Sequence, residues 1–405
     1  MKKVIMYLEG RTSNGGSYQY WLAALKALSG LDRKEYHLKV YTSSDEWCKI
    51  AKKLCIDSVL LWKKKNFFGI YMERIYRRFP NQLFRRMCIR LNDVYGKLER
   101  EKADLLIAQL VDGGGDILEI PTMVPVMDLM HRYEPEFEEV ANEYEARELM
   151  FRHQCELAEI ILVDSQVGKK HVLESYGAYR EDLAAHIKVL PMIPPDYIYN
   201  HVQLQQVPYK LFDKYVFYPA QFWTHKNHVN LIKAVALLRN SGVIVNLVLV
   251  GSEQNNRKHI EGLIHEQMLE DQVKILGYVS NDEMVYLYQH ARAMVMPTFF
   301  GPTNIPQLEG FALGCPVATS GIYGIPEQVG DAALLFDPHS VEEIADCIER
   351  LWMDDTLCVD LIRRGKQKSE QWRPEDFQDM FIGIIKTYFK EKQNDEIASI
   401  FNVII

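Results

Sequence analysis

The chain has 405 residues, more than one hydrophobic core usually organises, so two domains are expected. Apolar residues make up 48% and charged residues 25%, as in an ordinary globular protein. The net charge of −8 argues against a nucleic-acid partner, and no stretch reaches the ~18 uninterrupted apolar residues of a membrane span. The scattered cysteines, without a C-x-x-C pair, favour reduced thiols, and the short apolar run at the start does not predict a signal peptide. We therefore expect a cytoplasmic location.

Short apolar runs alternate with helical patterns along the chain, which is the rhythm of a parallel sheet covered by helices. The runs that predict strands in the first half are VIMYLEG (4–10), DLLIAQL (104–110), VPVMDL (124–129), EIILVDS (159–165) and IKVLP (187–191). Those in the second half are YVFYPA (215–220), VNLVLVG (245–251), VKILGYV (273–279), AMVMP (293–297), PVATS (316–320) and ALLFD (333–337). The pattern predicts two doubly wound α/β domains that bind ligands at the carboxyl ends of their strands.

One segment interrupts this rhythm. The prolines and polar residues of PPDYIYNHVQLQQVPYK (194–210) predict a linker. We expect an N-terminal domain over 1–200, a C-terminal domain over 201–375, and a last segment, 376–405, whose helix packs back on the N-terminal domain.

The most informative stretch is 296–338. It predicts a loop with Thr303 or Asn304 as the N-cap of a helix over Ile305–Leu313, which Gly314 ends. A glycine-bearing loop before a helix leaves free backbone N–H groups at the positive end of the helix dipole. This arrangement suits a diphosphate, although the same N–H groups can also face only water.

Glu309 lies about one turn further along this helix, where it can accept hydrogen bonds from ribose hydroxyls. The alternative is that Glu309 is a solvated surface residue. The local chemistry leaves both interpretations open.

A second strand-to-helix junction places Lys226 at the carboxyl end of the first strand of the C-terminal domain. A cation at that position can meet phosphate oxygens. His225 and His228 flank it, but no third ligand is nearby in sequence, so polar or substrate contacts are favoured over a metal site. We expect no divalent metal cofactor.

These segments together resemble glycosyltransferase family 4, the retaining nucleotide-sugar-dependent enzymes with the GT-B fold. The Lys226 junction, PQLEGFALGCPV (306–317) and GIPEQVGDAALLFDP (324–338) occur in the order of that family. The resemblance is strongest over 215–340. It implies an α/β protein with two Rossmann-like domains that face a central cleft.

The loop before the helix departs from the family pattern. The family has two glutamates eight positions apart, the first at the donor sugar and the second at the ribose. Glu309 matches the second, but Gly301 stands at the first. The FFGPTNIP loop resembles a subgroup in which Thr303, Asn304 and Ile305 meet the sugar and phosphates instead.

Three further donor-binding positions follow from the resemblance. Gln221 stands where the family usually has an arginine, five residues before the lysine. Gly251 and Tyr278 lie at the rim where the base of the nucleotide packs. Glu327 also matches a family position, although it can serve the local turn instead.

The N-terminal half contains two partial matches. Gly15 and Gly16 precede a helix, where donor phosphates or an acceptor can approach the backbone, although an ordinary tight turn explains them as well. In VPVMDLMHRYEPEF (124–137), Asp128 and His131 match family positions near acceptor and donor. The alternative is that Asp128 caps the following turn and His131 lies on the surface.

The function implied by the resemblance is transfer of a hexose from a GDP- or UDP-sugar to a saccharide acceptor, with retention at the anomeric carbon. A role in lipopolysaccharide, O-antigen or other surface-polysaccharide assembly follows from the family. Lys226 and the helix N-terminus would stabilise the departing diphosphate without a metal, and Asp128 and His131 are the other candidate catalytic residues. Closure over the linker would exclude water.

The segment 62–102 contains about twelve Lys or Arg residues against about four acidic ones, and aromatic residues lie among them. They include Phe67, Phe68, Tyr71, Tyr76, Phe79 and Phe84. Such a stretch can bind the inner, anionic face of a membrane and present a lipid-linked saccharide to the cleft. A solvated helical face with its aromatic residues in the core is the alternative.

Two other classes of function remain open at this stage. One is a sugar-nucleotide epimerase or phosphorylase on the same fold. The other is a non-catalytic GT-B partner subunit, which the absent first glutamate keeps in view. A Rossmann oxidoreductase is disfavoured because no G-x-G-x-x-G follows the first strand of either domain.

Overall fold

The computed structural model describes residues 1–9, 15–61, 67–108 and 117–404, and side chains up to residue 394. The N-terminal strands are β1 (Lys2–Leu8), β2 (Tyr36–Thr42), β3 (Asp57–Leu60), β4 (Leu105–Ala108), β5 (Thr122–Pro125), β6 (Ile160–Val163) and β7 (Ile187–Val189). The helices of this half are α1 (Gly16–Ser29), α2 (Asp45–Lys53), α3 (Phe67–Arg78), α4 (Gln82–Leu91), α5 (Asp93–Glu101), α6 (Met130–Tyr133), α7 (Glu138–Ala141), α8 (Tyr144–Leu157), α9 (Gln166–Tyr176) and α10 (Leu183–His186).

The C-terminal strands are β8 (Val216–Pro219), β9 (Leu247–Val250), β10 (Val273–Ile275), β11 (Ala293–Met296), β12 (Val317–Ser320) and β13 (Ala333–Phe336). The helices that follow them are α11 (His228–Asn240), α12 (Arg257–Glu266), α13 (Asn281–His290), α14 (Ile305–Leu313), α15 (Ile325–Val329), α16 (Val341–Met353), α17 (Asp355–Gln371) and α18 (Pro374–Ile404).

Each half contains one parallel sheet. In the described ranges the N-terminal sheet has the strand order β3-β2-β1-β4-β5-β6-β7 and the C-terminal sheet the order β10-β9-β8-β11-β12-β13. In both sheets the order reverses beside the first strand, and in doubly wound folds this reversal places the ligand crevice at the carboxyl ends of the central strands. The two predicted α/β domains are confirmed.

The strands are buried on both faces. In β1, Ile5 and Tyr7 belong to the apolar cluster on one face of the sheet, whereas Val4, Met6 and Leu8 belong to the cluster on the other. Successive side chains of a strand point to opposite faces, so helices must cover both sides. Burial of each such large apolar side chain contributes ~1.5–3 kcal/mol, which holds the strand ends of the cleft rigid.

Helix α18 lies against the N-terminal domain. Phe377, Phe381, Ile385 and Phe389 recur every four residues and join the same apolar cluster as residues of α1. The rings of Phe377 and Tyr20 meet edge to face with centroids 6.3 Å apart. The last helix therefore crosses from the C-terminal domain to the N-terminal one. The boundaries at 200 and 375 remain predictions.

Candidate active site in the cleft between the domains

The helix that begins at the central cleft is α14. It starts at Ile305 and ends before Gly314, which adopts the left-handed conformation with φ 72° that favours glycine at this position. Asn304 is the N-cap residue, as one of the two predicted alternatives, but its side chain makes no capping hydrogen bond. The N-terminus of α14 therefore keeps its positive dipole end open to a ligand.

Lys226 faces this helix end. Its Nζ lies 3.5 Å from Oδ1 of Asn304, so the uncapped side chain of Asn304 points at the cation. Lys226 ends the short 3-10 turn Thr224–Lys226 that follows β8. Burial lowers the pKa of Lys226 to about 8, and the nearby charge of Asp128 acts in the opposite direction. The structure thus brings a cation and a helix N-terminus to one place, which is the requirement for binding a diphosphate.

Gln328 on α15 fixes the backbone of the loop. Its Oε1 accepts a 3.1 Å hydrogen bond from the amide of Asn304, and its Nε2 donates a 2.7 Å hydrogen bond to the carbonyl of Asn304. These two bonds satisfy the peptide groups on either side of the N-cap residue. Gln328 was not predicted as a site residue, because nothing in the local sequence pattern pairs it with position 304.

Glu309 is buried rather than solvated, so the surface interpretation is wrong: only 5% of the residue is exposed. The hydroxyl of Tyr197 donates to its Oε1 at 2.5 Å, and the hydroxyl of Tyr288 donates to its Oε2 at 2.7 Å. Burial raises the pKa of Glu309, and the two tyrosine hydroxyls partly offset this shift. A ribose hydroxyl would have to share or replace one of these donors.

The structure brings the predicted glycines of the N-terminal domain to the predicted donor residues of the other domain. Gly15 is the N-cap residue of α1 and has φ 58°, a backbone conformation that residues with a side chain rarely adopt. A Cβ atom on Gly15 would lie 3.9 Å from Nε2 of Gln221, and one on Gly16 would lie 3.5 Å from Cδ1 of Ile305. The four residues therefore line opposite walls of one narrow cleft.

Gly251 and Tyr278 lie at the end of the C-terminal sheet. A Cβ atom on Gly251 would come within 2.1 Å of the carbonyl oxygen of Ala220, so the close approach of two backbone segments already requires glycine there. Tyr278 is 77% exposed, which leaves its ring available to a ligand at the rim.

Asp128 makes contacts that fix the local structure. Its Oδ1 accepts a 3.1 Å hydrogen bond from the amide of Met130 and a 2.7 Å bond from Arg147. The structure therefore shows the turn-capping role that was the alternative for Asp128. Its side chain is still 35% exposed.

His131 does not lie on the surface, so that alternative is wrong. The side chain is 0% exposed, its ring stacks on Phe151 with centroids 5.4 Å apart, and its Nε2 lies 3.3 Å from Glu148. Burial lowers the pKa of His131, with the charge of Arg147 as the next cause. A direct contact with donor or acceptor would require this packing to open.

Two carboxylates cap backbone amides across the cleft. Glu139 on α7 accepts hydrogen bonds from the amides of Thr224 at 2.6 Å and His225 at 3.4 Å. Glu327 on α15 accepts from the amides of Gln166 at 3.0 Å and Val167 at 3.4 Å. Glu327 therefore caps α9 of the opposite domain instead of serving its own turn.

Asp164 reaches the donor loop from the carboxyl end of β6. Its Oδ2 accepts hydrogen bonds from both the amide (3.1 Å) and the hydroxyl of Thr303. Burial raises the pKa of Asp164 to about 6, against the effect of these donors. Ser165, next in sequence, caps α9 through a 3.0 Å hydrogen bond that it accepts from the amide of Gly168. With Glu139 and Glu327, Asp164 holds the two domains together around the cleft.

No set of three or more His, Cys, Asp or Glu side chains is arranged to hold a metal ion in the part of the chain that the structure describes. Within that same part, no helix is both long and apolar enough to cross a bilayer.

The sequence of the C-terminal half resembles a known family. Residues 203–368 match the sequence model of the family described as Glycosyl transferases group 1. The match covers Lys226, α14 and the loop before α14, whereas Gly15, Asp128 and Asp164 of the same cleft lie outside it.

Named relatives include several hexosyltransferases. The chain is 30% identical over 173 residues to O-antigen chain mannosyltransferase B of Escherichia coli, an alignment that covers 42% of this chain and 45% of that protein. It is also 30% identical over 145 residues to D-inositol 3-phosphate glycosyltransferase of Pseudarthrobacter chlorophenolicus, covering 35% and 34% of the two chains. The chain thus spans less than half the length of these curated relatives.

Solved structures show the same architecture over nearly the whole chain. Sucrose-phosphate synthase from Thermosynechococcus elongatus superposes with a TM-score of 0.68 at 16% identity, covering 97% of this chain and 100% of that one. Anabaena HepE in complex with UDP and glucose gives a TM-score of 0.66 at 16% identity, covering 96% and 100%. At such identities the likeness shows the fold alone, which is GT-B, as predicted.

Proposed function

We propose that the protein is a retaining glycosyltransferase that moves a hexose from a GDP- or UDP-sugar to a saccharide acceptor. The observation that carries this proposal is the position of Lys226 at the N-terminus of α14. Its Nζ lies 3.5 Å from Oδ1 of Asn304, the N-cap residue, whose side chain makes no capping hydrogen bond. The mannosyltransferase names among the relatives favour mannose as the first hexose to test. An acceptor in O-antigen or related polysaccharide assembly is part of the same proposal.

The reaction separates a diphosphate from a sugar that becomes electron-deficient. Lys226 and the first-turn amides of α14 stabilise the negative charge that develops on the leaving group, because both are fixed before the reaction begins. Gln328 holds Asn304 and therefore the direction of those amides. Retention at the anomeric carbon is proposed from the family resemblance, as is membership of the subgroup with the FGPTN loop.

Closure of the cleft excludes water from the reacting centre. Glu139 and Glu327 bond to amides of the opposite domain, so their contacts form only when the domains close. Water would otherwise compete with the saccharide acceptor for the sugar. On the acceptor side, Asp128 is the proposed carboxylate, because it is part-exposed and its charge acts on Lys226.

Helices α3 and α4 form a surface that suits binding to an anionic membrane. The proposed membrane face is the inner one, where a lipid-linked acceptor would be located. The exposed apolar side chains there include Phe67 (87% exposed), Tyr71 (54%), Phe79 (63%) and Leu83 (67%). Of the other predicted aromatic residues, Phe68 is exposed, Phe84 is half-buried and Tyr76 is buried. Residues 62–66 of the basic segment lie outside the described residues. Basic side chains beside exposed aromatic rings bind anionic bilayers through charge and apolar insertion.

A ligand panel followed by a turnover assay tests the proposed reaction. GDP, UDP and their hexose conjugates are added to the wild type, to Lys226→Ala and to Lys233→Ala, an exposed lysine of α11 that serves as the control. A ligand that binds the native state raises the Tm, so one nucleotide series should stabilise the wild type and the control but not Lys226→Ala. Release of nucleoside diphosphate in the presence of a saccharide acceptor then establishes transfer.

Other results would point to different functions. Binding without turnover over a panel of acceptors would favour a non-catalytic partner subunit. Conversion of the sugar nucleotide without any acceptor would indicate an epimerase. The absence of any nucleotide-dependent shift at millimolar concentration would contradict the proposal.

A further inference from the structure

Two elements of the C-terminal domain form the candidate diphosphate site, and they are bonded to each other. The first is the turn Thr224–Lys226, and the second is the loop 299–304, which leads into α14. The amide of Phe299 donates a 2.9 Å hydrogen bond to the carbonyl of His225. The rings of His225 and Phe300 stack with centroids 3.9 Å apart. The positions of the turn and of the loop are therefore coupled.

Glu139 of the N-terminal domain holds the turn. Its Oε1 accepts hydrogen bonds from the amides of Thr224 at 2.6 Å and His225 at 3.4 Å, the two residues before Lys226. The side chain of Glu139 is only 8% exposed, so salt and water screen these bonds little. The backbone that carries Lys226 is therefore fixed by a carboxylate of the opposite domain.

Asp164 of the N-terminal domain holds the loop in the same way. Its Oδ2 accepts a 3.1 Å hydrogen bond from the amide of Thr303 and a second bond from the hydroxyl of that residue. Thr303 comes directly before Asn304, the N-cap residue of α14, whose Oδ1 lies 3.5 Å from Nζ of Lys226. The helix end that faces the cation is therefore also fixed from the opposite domain.

Both carboxylates lie beside a site that is proposed to bind an anion. By Coulomb's law alone, each of them weakens the binding of a diphosphate. A role in positioning acts in the opposite direction, because groups that are already held in place bind a ligand without first being ordered. The sign of the change in affinity when a carboxylate is removed therefore separates the two effects.

We propose that Glu139 and Asp164 are positioning residues, each of which holds one half of the diphosphate site from the opposite domain. Glu139 acts through Lys226, and Asp164 acts through Thr303 and the N-terminus of α14. The N-terminal domain thus completes a site whose cation and helix end both belong to the C-terminal domain. The inference rests on the proposed transferase function. It adds the contacts by which domain closure and donor binding strengthen each other, since such coupling is reciprocal.

Equilibrium binding of GDP and UDP to variants of the two carboxylates tests this role. Glu139→Ala and Asp164→Ala should each bind the preferred nucleoside diphosphate about five- to twentyfold more weakly than the wild type, because charge-assisted hydrogen bonds are lost. Glu139→Gln and Asp164→Asn keep a neutral oxygen that can accept the same bonds, so their loss should be only about two- to threefold. Calorimetry measures the Kd, corrected for the folded fraction determined by circular dichroism.

Asp354→Ala is the matched control. Oδ1 of Asp354 accepts a 2.9 Å hydrogen bond from the amide of Leu357, so this carboxylate caps α17 within the C-terminal domain. The variant should lower the Tm, because a helix cap is lost, but it should bind nucleotide as the wild type does.

The outcomes distinguish this inference from the proposed function. If the wild type binds a nucleoside diphosphate and the alanine variants bind it equally well or more tightly, the positioning role is wrong and the transferase proposal survives. A loss in Asp354→Ala as large as in the other two would mean that lower stability explains the losses, and would also overturn the inference. If an alanine variant does not fold, its amide variant decides, because tighter binding there contradicts positioning. If the wild type binds no nucleotide, the proposed function itself fails.

Discussion

The hydroxyl of Tyr197 donates a 2.5 Å hydrogen bond to Oε1 of Glu309, so the interdomain linker reaches the helix that forms the candidate donor site. Tyr197 lies in a 3-10 turn of the linker, Asp196–Ile198, and Glu309 lies on the second turn of α14. If Glu309 binds the ribose of the donor, as the family resemblance implies, the ribose competes with Tyr197 for one carboxylate oxygen. Donor binding and the position of the linker are then coupled.

Replacing Tyr197 with phenylalanine should release that oxygen. We expect Tyr197→Phe to bind nucleoside diphosphate about two- to fivefold more tightly, while the free energy of unfolding falls by about 1 kcal/mol because a buried hydrogen bond is lost. Calorimetry and urea denaturation measure the two effects. Tyr199→Phe, a 42% exposed tyrosine of the same linker, is the control. Weaker nucleotide binding in Tyr197→Phe would show instead that Tyr197 orients Glu309 for the ribose.

Nucleotide affinity should depend on the protonation of Lys226. Burial lowers the pKa of Lys226 to about 8, so the free protein loses this cation as the pH rises through that value. The protonated form attracts the diphosphate, so the Kd should be level below pH 8 and rise by up to ~tenfold per pH unit above it. Titration of Kd between pH 6.5 and 9.5 measures this.

Two variants make the pH test specific. Lys226→Ala should bind weakly with a flat profile, and Lys233→Ala should retain the wild-type profile because Lys233 is exposed on α11. A wild-type profile that stays level up to pH 9.5 would mean that another group neutralises the diphosphate.

The strands of the C-terminal domain could be predicted because they are short, mainly apolar runs between helical patterns, as in LVLV of β9. Two N-terminal strands, β2 and β3, were not predicted. In β2, His37 and Lys39 interrupt the apolar pattern because alternate positions are only half-buried. β3 is a four-residue edge strand with an exposed first residue. Edge strands bury one face poorly, so hydrophobicity alone does not reveal them.

The site shows the same division between local and long-range information. The helix start at Ile305 and the position of Lys226 follow from nearby residues, and both were predicted. Asp164 lies 139 positions from its partner Thr303, and Glu139 lies 85 positions from Thr224. Such pairings depend on how the two domains close, and no spacing or propensity in a single sequence encodes them.

His131 should contribute to stability rather than to the chemical step. Its ring is fully buried, stacks on Phe151 and lies 3.3 Å from Glu148. We expect His131→Ala to lower the free energy of unfolding by ~2–4 kcal/mol, because it leaves a cavity beside Phe151. The kcat per folded molecule should stay within about twofold of the wild type, measured after the folded fraction is determined by circular dichroism.

A matched change at Asp128 sharpens that comparison. Asp128→Asn preserves the side-chain size and weakens the 2.7 Å ion pair with Arg147. If Asp128 serves the acceptor, this variant should raise the KM for the saccharide while His131→Ala does not. A loss of kcat in His131→Ala that exceeds its loss of folded protein would place His131 in the reaction.

The exposed aromatic residues of α3 and of the turn after it should drive binding to anionic vesicles. Phe67 is 87% and Phe79 63% exposed, so changing both to serine should not affect the Tm but should remove apolar insertion. Each inserted phenylalanine contributes ~1.5–3 kcal/mol, so the double variant should bind at least about tenfold more weakly in sedimentation with phosphatidylglycerol vesicles.

Tyr179→Ser is the control, because Tyr179 is a 48% exposed aromatic residue on the turn after α9. Neutral vesicles should bind neither protein strongly, because the basic side chains of this surface, such as Arg74 and Arg86, attract only an anionic lipid. Equal binding of the wild type and the double variant to anionic vesicles would mean that charge alone holds the protein there, or that another surface meets the membrane.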